Sequence, residues 1–125
     1  MGLAPDDVRW VRAWALQSIH LIVLPEMFTT GFTMNAMQLA ELENGETLIW
    51  MKNQAVKMNC AITGSVIISK NNFFYNRLFF VFPNGDYKIY DKRHTFTLAG
   101  EHHTFASGNQ RLIVDLLGWK ICPLI

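Results

Sequence analysis

The chain has 125 residues, half of them apolar, and a formal net charge of +1 at pH 7. This is the length of one domain, and so high an apolar fraction excludes a disordered chain. A net charge near zero without a run of Lys or Arg argues against nucleic acid or an anionic membrane as a partner. Two cysteines without a leader-like apolar segment before them predict reduced thiols and a cytoplasmic location.

The first part of the chain predicts a helix followed by a strand. Asp6 and Asp7 can cap a helix, because apolar residues recur after them at helical spacing. In residues 19–24, both the odd-numbered and the even-numbered positions are mostly apolar. This pattern predicts a strand that is buried on both faces and ended by Pro25.

The next segment predicts a loop and then a longer helix. Residues 27–43 show no sustained period, so we expect a loop with at most one short helix. Residues 46–58 have helical periodicity. The apolar face of this helix comprises Leu48, Met51, Ala55 and Met58.

The second half of the chain is rich in strand formers. Residues 60–69 and 73–82 predict two strands, and the Pro-Asn-Gly-Asp turn at 83–86 leads into a third at 87–90, forming a hairpin. A long polar loop over 92–110 precedes further strands. The order helix, strand, helix, then several strands predicts a layered sandwich of the α/β class within one domain.

Two charged residues follow strand-like runs and carry the functional prediction. Glu26 comes directly after the first strand, and Lys92 comes after the hairpin. A carboxylate and an ammonium at one rim of a sheet are two of the three groups of a thiol-dependent amide-cleaving site. The third group is a cysteine. The apolar segment 119–125 has no polar cap or tail, so we expect the chain to be a truncated form.

Three motifs in order resemble those of the carbon–nitrogen hydrolase (nitrilase) superfamily. Residues 24–32 resemble its glutamate motif, residues 90–96 its lysine motif, and residues 118–125 the strand that leads into its cysteine motif. The similarity runs from Ile19 to Ile125. Residues 1–18 fit poorly, because the family opens with a strand and none is evident there.

The resemblance implies a fold and a set of roles. The fold is the α-β-β-α sandwich, of which residues 1–125 would form an incomplete domain, about half of the whole. Glu26 would be the general base, Lys92 would hold the charged tetrahedral intermediate, and Glu101 would orient the lysine or the substrate. The nucleophilic cysteine is expected immediately after Ile125, so we expect no amidase turnover from this chain itself. No cofactor is implied, and the full-length parent is expected to be a homo-oligomer.

The expected substrate is a small-molecule amide. The motifs look most like the omega-amidase branch, which hydrolyses ω-amides of 2-oxo dicarboxylic acids. The far carboxylate of such a substrate needs a cation, for which Arg93 and Arg77 are the candidates. Phe28 and Phe32 are candidates for the walls of a narrow pocket. Nitriles, N-carbamoyl amines and acylated amino acids stay open as substrates.

Simpler interpretations accompany each of these residues. Glu26 alone could be a surface carboxylate, Glu101 an exposed loop acid, and Lys92, Arg93 and Arg77 plain solvated cations. Their significance depends on their being brought together.

The histidines and cysteines are assigned no catalytic role. His94, His102 and His103 fit no zinc-binding spacing, so no metal site is predicted. Cys60 and Cys122 are expected to be small buried hydrophobic residues.

Two other functions remain open. One is an inactive, truncated relic or an interaction fragment. The other is a metal-dependent endonuclease- or phosphatase-like sandwich, in which a glutamate after a buried strand binds Mg²⁺. That site would need Gln or Asn near Glu26, where Pro25 stands, and it would leave Lys92 without a role.

Overall fold

The computed structural model describes residues 18–125, so the helix predicted after Asp6 and Asp7 lies outside the described residues. A 3-10 turn at Thr97–Ala99 lies within the long polar loop. The helices and strands are β1 (Leu21–Val23), α1 (Ala36–Leu39), β2 (Glu41–Leu42), α2 (Glu46–Met58), β3 (Ala61–Lys70), β4 (Phe73–Val81), β5 (Tyr87–Asp91), α3 (Glu101–Thr104), β6 (Val114–Leu116) and β7 (Trp119–Ile121).

A five-stranded mixed sheet forms the centre of the fold. Its strand order is β1-β3-β4-β5, and β2 pairs with the distal part of β3, where Glu41 lies opposite Ile68. Strands β1 and β2 are parallel to β3, whereas β3, β4 and β5 form an antiparallel meander. Strands β1 and β5 therefore run in the same direction, and their carboxyl ends reach the same rim of the sheet.

The turns of the meander follow from local sequence. Asn71 and Asn72 both adopt left-handed conformations between β3 and β4, with φ of 51° and 64°. Two consecutive left-handed residues make the hairpin turn that matches the twist of the strands, and asparagine tolerates this conformation well. The predicted strands and hairpin are confirmed.

Helix α2 begins and ends at the predicted residues. Glu46 in its first turn and Lys57 in its last turn suit the helix dipole. The helix stops at Asn59, a left-handed residue with φ of 49° whose N–H bonds back to the last turn. Its apolar face packs against one face of the sheet. This core comprises Ile22, Leu24, Leu48, Met51, Ala55, Cys60, Ile62, Val66, Ile68, Phe79 and Val81.

The opposite face of the sheet packs against β6 and β7, which form a separate antiparallel pair. Because successive strand residues point to opposite faces, β3 and β4 supply side chains to both cores. This second core comprises Ala61, Leu78, Phe80, Tyr90, Val114 and Leu116. Helix α2, the main sheet and the β6–β7 pair are thus three successive layers of the predicted sandwich.

Some local predictions are refined or corrected. The segment predicted as loop at 27–43 holds both α1 and the short strand β2, and the loop at 92–110 holds α3. Cys60 is buried as predicted, but Cys122 is exposed, because the last strand ends at Ile121. Within residues 18–125, no helix has the length and hydropathy that crossing a bilayer requires.

Candidate active site

The loop that carries Glu26 is tied to β3 on both sides of the glutamate. The N–H of Leu24 donates to the carbonyl oxygen of Thr63 at 2.8 Å, and the N–H of Met27 donates to the buried Ser65 Oγ at 2.8 Å. Met27 is fully buried and left-handed, with φ of 49°. A non-glycine residue in this conformation stores strain that its surroundings must hold in place. The result is a defined position for the Glu26 carboxylate at the sheet rim.

Lys92 follows β5 and meets Glu26 at this rim. Its N–H donates to the carbonyl oxygen of Asn76 at 2.9 Å, which extends the β4–β5 ladder by one residue. Its ammonium donates to Glu26 Oε1 at 2.8 Å and to Glu101 Oε2 at 3.1 Å. Glu26 and Lys92 are 66 residues apart in the chain. The sequence-based expectation that these two side chains converge is therefore met in the structure.

Glu101 lies at the first position of α3 and is completely buried. Its Oε2 atom accepts hydrogen bonds from the Lys92 ammonium and, at 2.7 Å, from the N–H of Phe96. Its Oε1 atom is buried without a hydrogen-bond partner among the described residues. Glu101 therefore fixes Lys92 from the side opposite Glu26.

Asn76 is a fourth member of this cluster, and the sequence analysis assigned it no role in the site. Its side-chain Nδ2 donates to Glu26 Oε1 at 2.7 Å, and the residue is 1% exposed. It lies on β4 two residues before Leu78, on the same face of the sheet. A polar amide at the start of an otherwise apolar alternating set was the signal available in the sequence.

Glu26 and Lys92, the two members of the cluster that line a cavity, each keep an unused hydrogen-bonding group. Glu26 Oε1 accepts two hydrogen bonds, whereas no donor among residues 18–125 reaches its Oε2. An ammonium has three N–H donors, and Lys92 uses two of them. Both side chains open onto a cavity of about 510 Å³. The cavity is lined by Glu26, Phe32, Lys92, His94, Thr95, Phe96 and Ile125.

The electrostatics keep Lys92 charged. Burial acts to lower the pKa of Lys92, but hydrogen bonds to Glu26 and Glu101 and their Coulombic attraction outweigh it. The pKa of Lys92 is therefore raised above its ordinary value of 10.5. At neutral pH the site presents a fixed positive charge beside a carboxylate.

Arg77 does not belong to this site, and its prediction as a substrate-binding residue is wrong. It follows Asn76 on β4 and so lies on the opposite face of the sheet. Its guanidinium forms a two-pronged pair with Asp91, at 2.7 and 3.0 Å, and contacts Glu43 at 2.9 Å. Arg77 is 3% exposed and does not line the cavity.

Of the other three substrate-binding candidates, only Phe32 lines the cavity. Phe28 packs into the helix-side core, with its ring centroid 6.1 Å from that of Trp50, so its assignment to the pocket wall is also wrong. Arg93 is half-buried, does not line the cavity and has no ion-pair partner within the described ranges. Phe32 does line the cavity, and its ring centroid lies 5.7 Å from the Lys92 ammonium.

The histidines are distributed around the site without forming a cluster. His94 lines the cavity, whereas His102 and His103 are exposed and lie against each other. Over residues 18–125, His, Cys, Asp and Glu side chains form no group of three or more suited to a metal ion.

Comparison with known proteins identifies the family. The family model for carbon–nitrogen hydrolases matches residues 9–125. The chain belongs to the carbon–nitrogen hydrolase family. It is 42% identical over 111 residues to the omega-amidase YafV of Yersinia enterocolitica, covering 89% of this chain and 43% of that protein. It is 34% identical over 108 residues to the 2-oxoglutaramate amidase of Bacillus subtilis, covering 84% of this chain and 42% of that protein.

Solved structures confirm the predicted fold class. A CN-hydrolase superfamily protein from Xanthomonas campestris, with an arsenic adduct in its active site, superimposes with a TM-score of 0.83 at 38% identity. That match covers 92% of this chain and 44% of the Xanthomonas protein. An amidase from Nesterenkonia sp. shares the fold at 16% identity, with a TM-score of 0.79 over 98% of this chain and 50% of that one. The chain spans about two fifths of the length of the curated relatives it matches.

Proposed function

We propose that this chain carries the glutamate–lysine part of a thiol-dependent amidase site. In a longer protein that contains it, the site would hydrolyse the ω-amide of a 2-oxo dicarboxylic acid and release ammonia. The observation that carries the proposal is the 2.8 Å contact between Lys92 Nζ and Glu26 Oε1 at the wall of an open cavity. The similarity to an omega-amidase and a 2-oxoglutaramate amidase supports the substrate class.

In a longer protein, the nucleophile of this mechanism would be a cysteine placed directly after Ile125. Ile125 lines the same cavity as Glu26 and Lys92, so the next residue of a longer chain would emerge beside both. Glu26 Oε2 would take the proton of the thiol, and the thiolate would attack the amide carbonyl carbon. A carboxylate beside the thiol is what makes the sulfur nucleophilic near neutral pH.

The lysine and the glutamate then act on the tetrahedral intermediate. The third N–H and the positive charge of Lys92 stabilise the oxyanion, an effect of about 3–4 kcal/mol per donor in comparable sites. Glu26, now protonated, gives its proton to the departing nitrogen, and ammonia leaves as the thioester forms. Water, deprotonated by Glu26, then attacks the thioester and releases the carboxylic acid and the thiol. Glu101 keeps Lys92 in place throughout.

The cavity walls favour an unbranched substrate. Phe32 and Phe96 present aromatic surface on the wall, and His94 and Thr95 add polar groups. Arg77 already forms ion pairs with Glu43 and Asp91. The far carboxylate of the substrate would therefore bind these polar groups of the cavity wall or residues outside this chain.

The first test is the 125-residue chain alone. We expect no ammonia release from 2-oxoglutaramate, because loss of a covalent nucleophile typically lowers kcat by about 10⁶-fold. Turnover by the purified chain that disappears in Glu26→Gln would show that the assigned nucleophile is wrong.

The second test uses a longer chain that supplies a nucleophile. Residues 1–125 are joined to the segment of the Yersinia omega-amidase that follows the position aligned with Ile125, which gives a completed chain. Ammonia release is compared for 2-oxoglutaramate, an aliphatic nitrile and an N-carbamoyl amino acid, with Glu26→Gln as the inactive control. We expect 2-oxoglutaramate to be the preferred substrate. Equal or faster turnover of either other compound would contradict the substrate class and leave the amidase mechanism standing.

A further inference from the structure

Asn76 contacts both residues on which the proposed mechanism depends. Its side-chain Nδ2 donates to Glu26 Oε1 at 2.7 Å, and its carbonyl oxygen accepts the N–H of Lys92 at 2.9 Å. One residue in the middle of the sheet thus fixes the glutamate through its side chain and the lysine through its backbone. We infer that Asn76 is a positioning residue that orients the Glu26 carboxylate for proton transfer. This inference rests on the proposed function.

The Lys92 contact alone would leave the carboxylate free to turn. The terminal torsion of a glutamate side chain is broad, and an ammonium can pair with either oxygen. A second donor, directed at the same oxygen from a buried strand, removes that freedom. Glu26 Oε1 then accepts hydrogen bonds from both Asn76 and Lys92, and Oε2 receives none from residues 18–125.

The orientation of the Asn76 amide is set by chemistry. An ionised carboxylate only accepts hydrogen bonds, so the NH₂ group of Asn76 must face Glu26. The amide oxygen of Asn76 therefore points the other way, where it is buried and has no partner among the described residues. A buried, unpaired carbonyl destabilises a protein, and an apolar side chain would pack at this place without that loss. We therefore expect Asn76 to be locally unfavourable for stability, although it orients Glu26.

This reasoning separates a positioning role from a structural one. A structural asparagine would, when replaced by leucine, lower stability together with activity. A positioning asparagine with an orphaned oxygen would lower kcat while stability stays equal or rises.

The first experiment uses the 125-residue chain and measures exchange of side-chain amide protons by NMR. We expect the Asn76 NH₂ protons to exchange much more slowly than those of Asn84, an exposed turn residue that is also bonded to a carboxylate. Glu26→Ala should accelerate exchange at Asn76 and leave Asn84 unchanged. Equal exchange at the two asparagines would overturn the inference.

The second experiment uses the completed chain described above. Asn76→Leu is expected to lower kcat about 10–100-fold with KM changed less than about twofold, because a slightly misplaced base loses rate rather than binding. Asn76→Asp, which has the same shape but no donor when ionised, should lose as much. Asn84→Leu serves as the control that keeps full activity.

The outcomes are distinct from those of the proposed function. Unchanged kcat in Asn76→Leu, or a loss that follows lowered stability in urea, would overturn the positioning role. If the completed wild-type chain releases no ammonia, the proposed function fails and the role in proton transfer fails with it. The proton exchange of Asn76 in the 125-residue chain then tests only whether its amide holds the Glu26 carboxylate.

Discussion

Two buried cations lie on opposite faces of the same pair of strands, and comparing them shows what distinguishes a reactive cluster from a structural one. Arg77 on β4 is held by Asp91 and Glu43, and Lys92 after β5 is held by Glu26 and Glu101. Each cation is less than a tenth exposed, and each contacts two carboxylates. By charge and burial alone the two clusters are equivalent.

They differ in the shape of the cation and in whether it lines the cavity of the candidate site. The planar guanidinium of Arg77 makes a two-pronged pair with Asp91, its direct neighbour across β4 and β5, and Arg77 does not line the cavity that Glu26 and Lys92 share. Lys92 is a point charge with one N–H to spare, beside a carboxylate oxygen that is also unbonded, and both face an open cavity. A free donor and acceptor at a cavity, rather than a buried charge, mark the site of chemistry.

The largest expected effect is on activity. In the completed chain, Lys92→Met should lower kcat about 10²–10³-fold, because the charge that stabilises the oxyanion is lost. Arg77→Lys should retain most of the activity, because Arg77 touches neither the cavity nor the catalytic carboxylate. The measurement is ammonia release under saturating substrate. Similar losses in the two variants would show that the clusters do not divide into a reactive and a structural one.

The next effect is on stability. Arg77→Met removes a buried cation and leaves Asp91 without its two-pronged partner, so we expect a loss of about 3–5 kcal/mol in the free energy of unfolding. Lys70→Met is the matched control, because Lys70 also pairs with Glu43 but is 41% exposed, and it should change stability by at most about 1 kcal/mol. Urea titration of both variants checks this. Equal losses would mean that the two-pronged pair with Asp91 contributes little.

A smaller change in the free energy of unfolding is expected at alkaline pH. The folded state raises the pKa of Lys92 above 10.5, through hydrogen bonds that outweigh burial. Its contribution to stability is therefore fully present below pH 10.5 and is lost as the pH rises through the higher folded value. The free energy of unfolding of the wild type, relative to Lys92→Met, should be constant from neutral pH to about 10.5 and fall beyond it. A constant difference at all alkaline pH values would contradict the raised pKa.

The smallest expected effect is a change in stability at acid pH. It arises from Glu43, which pairs with Arg77. Hydrogen bonds from Arg77 and Lys70 hold the pKa of Glu43 below its ordinary value of 4.5. Its contribution is present above pH 4.5 and is lost as the pH falls through the lower folded value. The effect is small because the Glu43 side chain is 43% exposed. The free energies of unfolding of the wild type and Glu43→Gln, measured by urea titration, should converge as the pH is lowered. A difference that persists at acid pH would show that it does not arise from the ionisation of Glu43.

Much of the fold was predictable because its signals are local. Helix α2 has its predicted bounds, since helical periodicity and the Asn59 cap both lie within the segment itself. The Asn71-Asn72 turn and the strands around it are equally local. The order of the motifs that carry Glu26 and Lys92 was sufficient to predict the family, which the family model and the relatives confirm.

The errors concern the direction in which a side chain points. Arg77 and Phe28 were assigned to the pocket. Arg77 lies on the other face of the sheet, because neighbouring strand residues alternate between faces, and Phe28 packs into the helix-side core. Cys122 was expected to be buried and is exposed, because strand β7 is shorter than its apolar sequence indicates.

The sequence by itself determined the type of elements, the position of Glu26 and Lys92 after two parallel strands, and the family. These depend on spacing and on residue type, which are properties of short segments. Only the tertiary structure decided that Asn76 completes the cluster of Glu26, Lys92 and Glu101 and that Arg77 does not. Those contacts join residues between 9 and 66 positions apart, and they depend on strand register, on which face a side chain occupies and on which hydrogen-bonding atoms remain unpaired.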